Sequence, residues 1–181
     1  IQRQGPDSIA AFIAEPIGGS SSGATVPSPE YWRTVAELCR RHDILLIADE
    51  VLCGMGRTGR LFACEHFDLV PDILVLGKGL NAGALPLSAV VARRGLVERL
   101  AAGSGAFNHA QTYSHHPALC AAGLATLRAL VQERLVERVA RLEAPFLGAL
   151  ERLRGHVAVG DIRGRGFLAA VEFVADRATK R

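Results

Sequence analysis

A chain of 181 residues that is 49% hydrophobic and 22% charged has an ordinary globular composition, with enough apolar material for one sizeable core. Its net charge of +3 is spread without blocks of like sign, which gives nucleic-acid binding no support, and no apolar run approaches a membrane span or resembles a signal peptide. Cys39, Cys53, Cys64 and Cys120 lie far apart with no C-x-x-C pattern, which argues against a zinc site or disulfide framework and for reduced thiols in a cytoplasmic protein.

Ile9 to Ala14 is the first apolar run; it predicts a strand and ends in Glu15-Pro16, so an acid emerges at the strand end. Residues 18–23, GGSSSG, predict a flexible loop with no chemistry of its own. Ser28-Pro29-Glu30 is a helix start, with Ser as N-cap and Pro in the first turn. That helix is expected to run to about His42, with Trp32, Val35, Ala36 and Cys39 on one face and Arg33, Glu37, Arg40 and Arg41 outside. ILLIA from Ile44 and ILVL from Ile73 are short continuous apolar runs, the pattern of strands buried on both faces in a parallel sheet. Glu15 to Asp49 and Asp49 to Lys78 are each about 30 residues apart, which suits one βαβ crossover apiece. The fold class is therefore α/β with a mostly parallel sheet.

Asp49 and Glu50 close the first of those two runs, and Lys78, flanked by Gly77 and Gly79, follows the second. Ligands of open α/β sheets sit beyond the carboxyl ends of the strands, so an acid and an amine delivered there can grip one ligand. Of the 21 Lys plus Arg, only Lys78 and Lys180 are lysines. Arginine serves for surface charge but cannot lose its proton and act as a nucleophile, whereas a desolvated lysine can, as a Schiff base requires. The plain alternative is a surface lysine in a loop. Gly54-Met55-Gly56-Arg57-Thr58-Gly59 matches G-x-G-x-x-G, but a dinucleotide fingerprint needs the loop to open a long helix, and Pro71 follows too soon.

Leu87 to Ala92 predicts another strand and Gly95 to Ala102 a short helix. The polar loop that follows, GSGAFNHAQTYSHHP, carries His115 and His116; with no partner cluster they are loop residues, and no metal site is expected. Pro117 to Val131 is apolar or small almost all round and predicts a buried helix. Leu135, Val139, Leu142, Phe146, Leu150 and Leu153 predict a second, amphipathic helix that Pro145 should kink or divide. The change of character near Arg134 divides the chain into 1–134 and a smaller unit over 135–181, in which Val157 to Val159 and Phe167 to Val174 read as strands.

DEVLCGMGRTGRLFACEH, followed by PDILVLGKGLNAG and LPLSAVVA, resembles the signature of the class III, pyridoxal-phosphate-dependent aminotransferases. AFIAEPIGG, HAQTYSHHP and IRGRGFLAAVEF extend the resemblance to both ends. It implies a fold type I three-layer sandwich: the C-terminal part of the cofactor-binding large domain over 1–134, then the beginning of a small α+β C-terminal domain over 135–181. It further implies that Lys78 carries pyridoxal 5'-phosphate as a Schiff base and that Asp49 faces the pyridine nitrogen. Val51 and Leu52 would lie against the cofactor, and Thr112 would reach across a homodimer to the partner's cofactor phosphate. Glu15 resembles the acid that pairs with a substrate-binding arginine. As alternatives from the residues alone, Thr112 is a turn residue before a helix and Glu15 caps a strand end.

Leu52 stands where many relatives carry Gln, while Ala110 and His115 replace glycines around the phosphate-binding threonine. Relatives are more than twice this length, so the chain is expected to be a fragment. It has no Gly-rich phosphate loop, no aromatic to stack on the ring and no downstream arginine for a substrate carboxylate. The implied activity moves an amino group from an amino acid or omega-amine to a 2-oxo acid, with the isolated piece silent. The alternatives are an aminomutase or racemase of the same family, or a non-catalytic folding or dimerisation module.

Overall fold

The structure, a computed structural model, describes residues 1–180. Three short strands, β1 (Ala11–Ala14), β2 (Leu45–Asp49) and β3 (Ile73–Leu76), pair in parallel in that order, and β4 (Ala89–Ala92) joins β3 antiparallel. The register aligns Ile13, Ile47, Ile73 and Ala92 in one row, and Asp49, Val75 and Val90 in another. Side chains alternate across the sheet, so Leu46, Ala48 and Glu50 point to the buried face while Leu45, Ile47 and Asp49 point to the other, half-covered one.

Helix α1 (Pro29–Arg41) makes the crossover from β1 to β2. Ser28 caps it, its Oγ accepting the Tyr31 N–H at 3.3 Å, with Pro29 at the first helical position where a missing N–H costs nothing. The face turned to the sheet is the expected one: Trp32 is 1% exposed and Cys39 is buried, while Arg33, Glu37, Arg40 and Arg41 lie in solvent. Trp32 anchors the core against Phe12, Leu46, Leu74 and Phe67, and its indole N–H donates to the Pro16 carbonyl at 3.0 Å. The second crossover departs from expectation. Between β2 and β3 the chain forms a loop over 51–62 and a 3-10 turn (Ala63–Phe67), with no α-helix, although the two strands remain parallel. Glycines at 54, 56 and 59 and Pro71 leave no uninterrupted stretch for one.

Helices α2 (Arg94–Ala102), α3 (Pro117–Gln132) and α4 (Leu135–Glu151) follow. The expectation that α3 is buried fails: only Gly123 is buried, and Leu124, Leu127 and Val131 are exposed. One side of α3 packs on the 3-10 turn Lys78–Asn81 and on α4, and its opposite side, with Leu124, Leu127 and Val131, is exposed. Arg134, in the left-handed conformation (φ 51°), turns the chain from α3 into α4. Pro145 does not divide α4; it lies on the exposed side, where the carbonyl it leaves without a donor faces water.

Beyond α4, β5 (Val159–Arg165) and β6 (Leu168–Phe173) form a two-stranded antiparallel sheet. The first of these is longer than Val157–Val159 suggested, because the charged IRGR segment is strand: Ile162 faces inward while Arg163 bridges Asp161 (3.1 Å) and Glu172 (2.6 Å). Arg163 also donates to the Gly23 carbonyl at 2.7 Å, so the loop expected to be flexible is a docking point for this hairpin. The hairpin turn rests on the 54–59 loop, with the Phe167 N–H donating to the Arg57 carbonyl at 2.9 Å. Gly166 (φ 59°) sits so close that a Cβ would lie 2.5 Å from the Thr58 carbonyl carbon. Gly166→Ala therefore combines left-handed strain with a backbone clash and should cost about 1–3 kcal/mol, read as a lower midpoint in denaturant unfolding.

Candidate active site

The ends of β2 and β3 bring together the side chains that the sequence singled out. Asp49 is the last residue of β2 and pairs in register with Val75 of β3; Lys78 lies two residues beyond the end of β3. The parallel pairing thus delivers a carboxylate and an amine to the same edge of the sheet. Asp49 is half-buried, with Oδ1 accepting the Val51 N–H at 3.0 Å. Neither Asp49 nor Lys78 takes part in an ion pair among the described residues, so neither is committed to a protein counter-charge.

Lys78 has φ 39°, in the left-handed region that a non-glycine residue adopts at a cost of about 1–3 kcal/mol. Met55 (φ 54°) and Ala82 (φ 49°) share this strain and border the same space. Here Lys78 lines a cavity of about 320 Å³ whose near wall is Val51, Leu52 and Met55 and whose far wall includes Leu130, Leu135 and Phe167. A more open depression of about 830 Å³ adjoins it along Met55, Lys78 and Leu130. The charged side chains lining the cavity are Lys78, Arg57 and Arg138, with no carboxylate among them, so the field inside favours an anion.

Val51 and Leu52 share the cavity wall with Lys78, while Asp49, directly before them in the chain, is not part of that wall. The other two candidates lie apart. Glu15 turns back on its own loop, with Oε2 accepting the Gly19 N–H at 2.7 Å, and it does not line the cavity. Thr112 is exposed in the turn between α2 and α3, outside the Lys78 cavity. His116 caps α3, its Nδ1 accepting the Ala118 N–H at 3.3 Å.

Sequence reasoning passed over Glu50, which is 0% exposed. Its Oε1 accepts the Cys64 N–H (2.7 Å) and its Oε2 the Ala63 N–H (2.8 Å). Strand alternation was the available signal: if Asp49 faces one side of the sheet, its neighbour must face the other. The buried carboxylate governs the nearby thiols as well. Burial first, and then the Glu50 charge, push Cys64 up to about 12 and Cys53 higher still, so both thiols are protonated and unreactive. The G-x-G-x-x-G loop is a packing surface: Gly56 and Gly59 (φ 84° and 85°) let α4 approach until added Cβ atoms would meet Val136 and Ala140 at 3.1 Å.

Fold and site together define an α/β protein that offers a ligand an unpaired lysine and carboxylate at adjacent parallel strand ends. The chain belongs to the class III aminotransferase family, whose model matches residues 1–181, and its architecture is that of pyridoxal-phosphate fold type I. A putrescine–pyruvate aminotransferase of Pseudomonas aeruginosa is 42% identical over 97% of this chain and 38% of its own. An (S)-enantioselective omega-transaminase from Thermomicrobium roseum superposes over the whole chain and 40% of its own, with a TM-score of 0.95 and 42% identity. The omega-transaminase from Pseudomonas jessenii, solved in complex with PMP, superposes over 99% of this chain and 40% of its own, with a TM-score of 0.92 and 41% identity. The chain thus spans about two fifths of the length of the relatives it matches.

His66 ties the cavity loop to the hairpin. Its Nε2 lies 3.1 Å from both the carbonyl and the Oγ1 of Thr58, and its Nδ1 lies 3.4 Å from Arg165. Burial first, then the Arg165 charge, hold His66 below its ordinary 6.5, against a smaller opposing pull from the hydrogen bond with the Thr58 backbone. The unfolded chain therefore takes up this proton at higher pH than the folded one, and stability falls as pH drops below about 6.5. Denaturant unfolding at pH 7.5 and 5.5 should show a smaller loss for His66→Gln than for the parent; equal losses would remove His66 from the account.

Proposed function

We propose that this chain carries the lysine site of a pyridoxal-phosphate-dependent aminotransferase, which moves an amino group from an amino acid or omega-amine to a 2-oxo acid. The observation that carries it is the pairing of an unpaired Lys78, on strained backbone, with an unpaired Asp49 on the neighbouring parallel strand. The residues present fit the cofactor: an amine for its aldehyde, a carboxylate for its ring nitrogen, an apolar wall, and a cavity field that favours an anion. Relatives named putrescine–pyruvate aminotransferase and omega-transaminase support an omega-amine donor.

When bound, pyridoxal phosphate supplies a protonated pyridine ring that accepts electrons from a carbanion at the substrate Cα. Lys78 would hold it covalently through Nζ and, when free, would move the proton at the substrate Cα as general base. Asp49 would keep the proton on the ring nitrogen; the Val51 N–H on its Oδ1 orients the carboxylate. Val51 and Leu52 exclude water from that side. We assign residues 1–134 to the large domain and 135–181 to the beginning of the small one, with Arg134 as the joint. Thr112, exposed on a loop away from the Lys78 cavity, is assigned to the partner's phosphate in a homodimer. Four unpaired cysteines, three of them buried, fit a cytoplasmic setting. Among the described residues no helix is long and apolar enough to cross a membrane.

In the complete enzyme, borohydride should fix the cofactor to Lys78, and Lys78→Ala should abolish transamination. Asp49→Asn should retain the covalent attachment yet react far more slowly, with a larger isotope effect at the substrate Cα. A label mapped to another residue, or an Asp49→Asn enzyme as fast as the parent, overturns the assignment.

Thr112→Ala should weaken cofactor retention by about 1–3 kcal/mol, the worth of one charge-assisted hydrogen bond. Mixing that variant with Lys78→Ala should restore part of the activity in hybrid dimers, because one site in each hybrid keeps both residues. Absence of recovery in well-mixed hybrids would put the phosphate site within one chain.

A further inference from the structure

Glu50 is the one carboxylate among the described residues that is wholly buried, and no cation accompanies it. Its backbone continues the sheet, the N–H donating to the Val75 carbonyl at 2.9 Å. Its side chain crosses to the far end of the 51–62 loop and takes the Ala63 and Cys64 N–H groups, one on each oxygen, with the Cys53 thiol 3.4 Å from Oε2. Both ends of the loop are thereby tied to a single residue. Gly54 adapts to this tie: a Cβ there would lie 2.6 Å from the Glu50 carbonyl oxygen and 3.1 Å from Oε2.

The tie bears on the chemistry through two contacts. Val51, first residue of the loop, donates the N–H that orients Asp49. Met55, at the loop's inner edge, packs on Gly79 beside the strained Lys78; a Cβ on Gly79 would lie 3.0 Å from the Cβ of Met55. We propose that Glu50 is a positioning residue for the reaction: its carboxylate holds the 51–62 loop in the shape that orients Asp49 and keeps Lys78 in its left-handed conformation. The proposal rests on the assignment of Lys78 and Asp49 to the cofactor, but the loop-holding part of it does not.

Glu50→Gln separates these roles. Glutamine has nearly the same shape, but one oxygen becomes an NH2 donor facing a backbone N–H, so one of the two bonds is lost. In the complete enzyme, amide hydrogen exchange at Ala63 and Cys64 should speed at least about tenfold while β1 and β2 amides stay protected. The pH profile of the bound cofactor's visible absorbance should shift. The value of kcat should fall on the order of 10²-fold with KM moved much less, as expected when reacting groups are misplaced rather than removed. Unchanged protection at Ala63 and Cys64 overturns the tie. Lost protection with unchanged absorbance and kcat overturns its bearing on the chemistry. Should Glu50→Gln fail to fold, Glu50→Asp, which keeps the charge but is one methylene short of the two N–H groups, must give the same exchange and absorbance changes, or the proposal falls. Borohydride mapping of Lys78 in the parent tests the underlying assignment separately, and the exchange result stands whether or not that mapping succeeds.

Discussion

The parallel pairing of β2 with β3 is the constraint on which the rest of the structure depends. Parallel neighbours end at the same edge of a sheet, so residues just past each strand share one crevice. The observed register, Ile47 with Ile73 and Asp49 with Val75, puts a carboxylate and an amine there from segments far apart in the chain. A one-residue slip would turn Asp49 to the face occupied by α1 and bring Glu50 out in its place. Both faces of β2 are apolar, so what resists the slip is the end of the strand, where Glu50 would lose the Ala63 and Cys64 N–H groups.

The site is held against local preference. Met55, Lys78 and Ala82 all adopt left-handed backbone, each at about 1–3 kcal/mol. Ala82 is a left-handed C-cap whose N–H donates to the Gly79 carbonyl at 3.1 Å, which offsets part of its cost, and the remaining stabilising free energy must come from the adjoining core. Trp32, Ile17, Ile44 and Leu46 are each less than 5% exposed, and burying a large apolar side chain contributes roughly 1.5–3 kcal/mol. A handful of such residues suffices to offset the strain. This is the usual division between a rigid scaffold and a functional site that it over-determines.

Much of the scaffold was legible because its signals are local. Ser28-Pro29 marked the start of α1, and the positions of Trp32 and Cys39 marked its buried face. ILLIA and ILVL marked β2 and β3 by composition alone. The misses share a physical cause: they depend on what lies across a gap. The burial of α3 was inferred from its apolar composition, but burial requires a neighbour, and the side that carries Leu124, Leu127 and Val131 has none among the described residues. The loop over 18–23 looked free because the Gly23 carbonyl is held by Arg163, some 140 residues away. The strand over 159–165 was cut short because IRGR is charged, and its charges are satisfied only once Asp161 and Glu172 stand beside Arg163. For the site, Asp49 and Lys78 could be found from strand ends, whereas Arg57, Arg138 and Phe167 reach the cavity only through the packing of the loop and hairpin against α4.

Asp49 and Glu50 show how neighbouring residues of like charge are given opposite uses by the period of a strand. Two carboxylates side by side in sequence would repel on one face, but alternation sends them to opposite faces. Asp49 meets a half-open edge and a single N–H, which leaves it free to bind a protonated partner. Glu50 meets a closed interior in which the Ala63 and Cys64 N–H groups and the Cys53 thiol lie against its oxygens. A buried carboxylate without a cation is tolerated only when its oxygens are hydrogen-bonded, and the first two N–H groups of the 3-10 turn give each oxygen a donor. The same two residues of sequence therefore supply both a charge that can act and the anchor that keeps the acting charge in place.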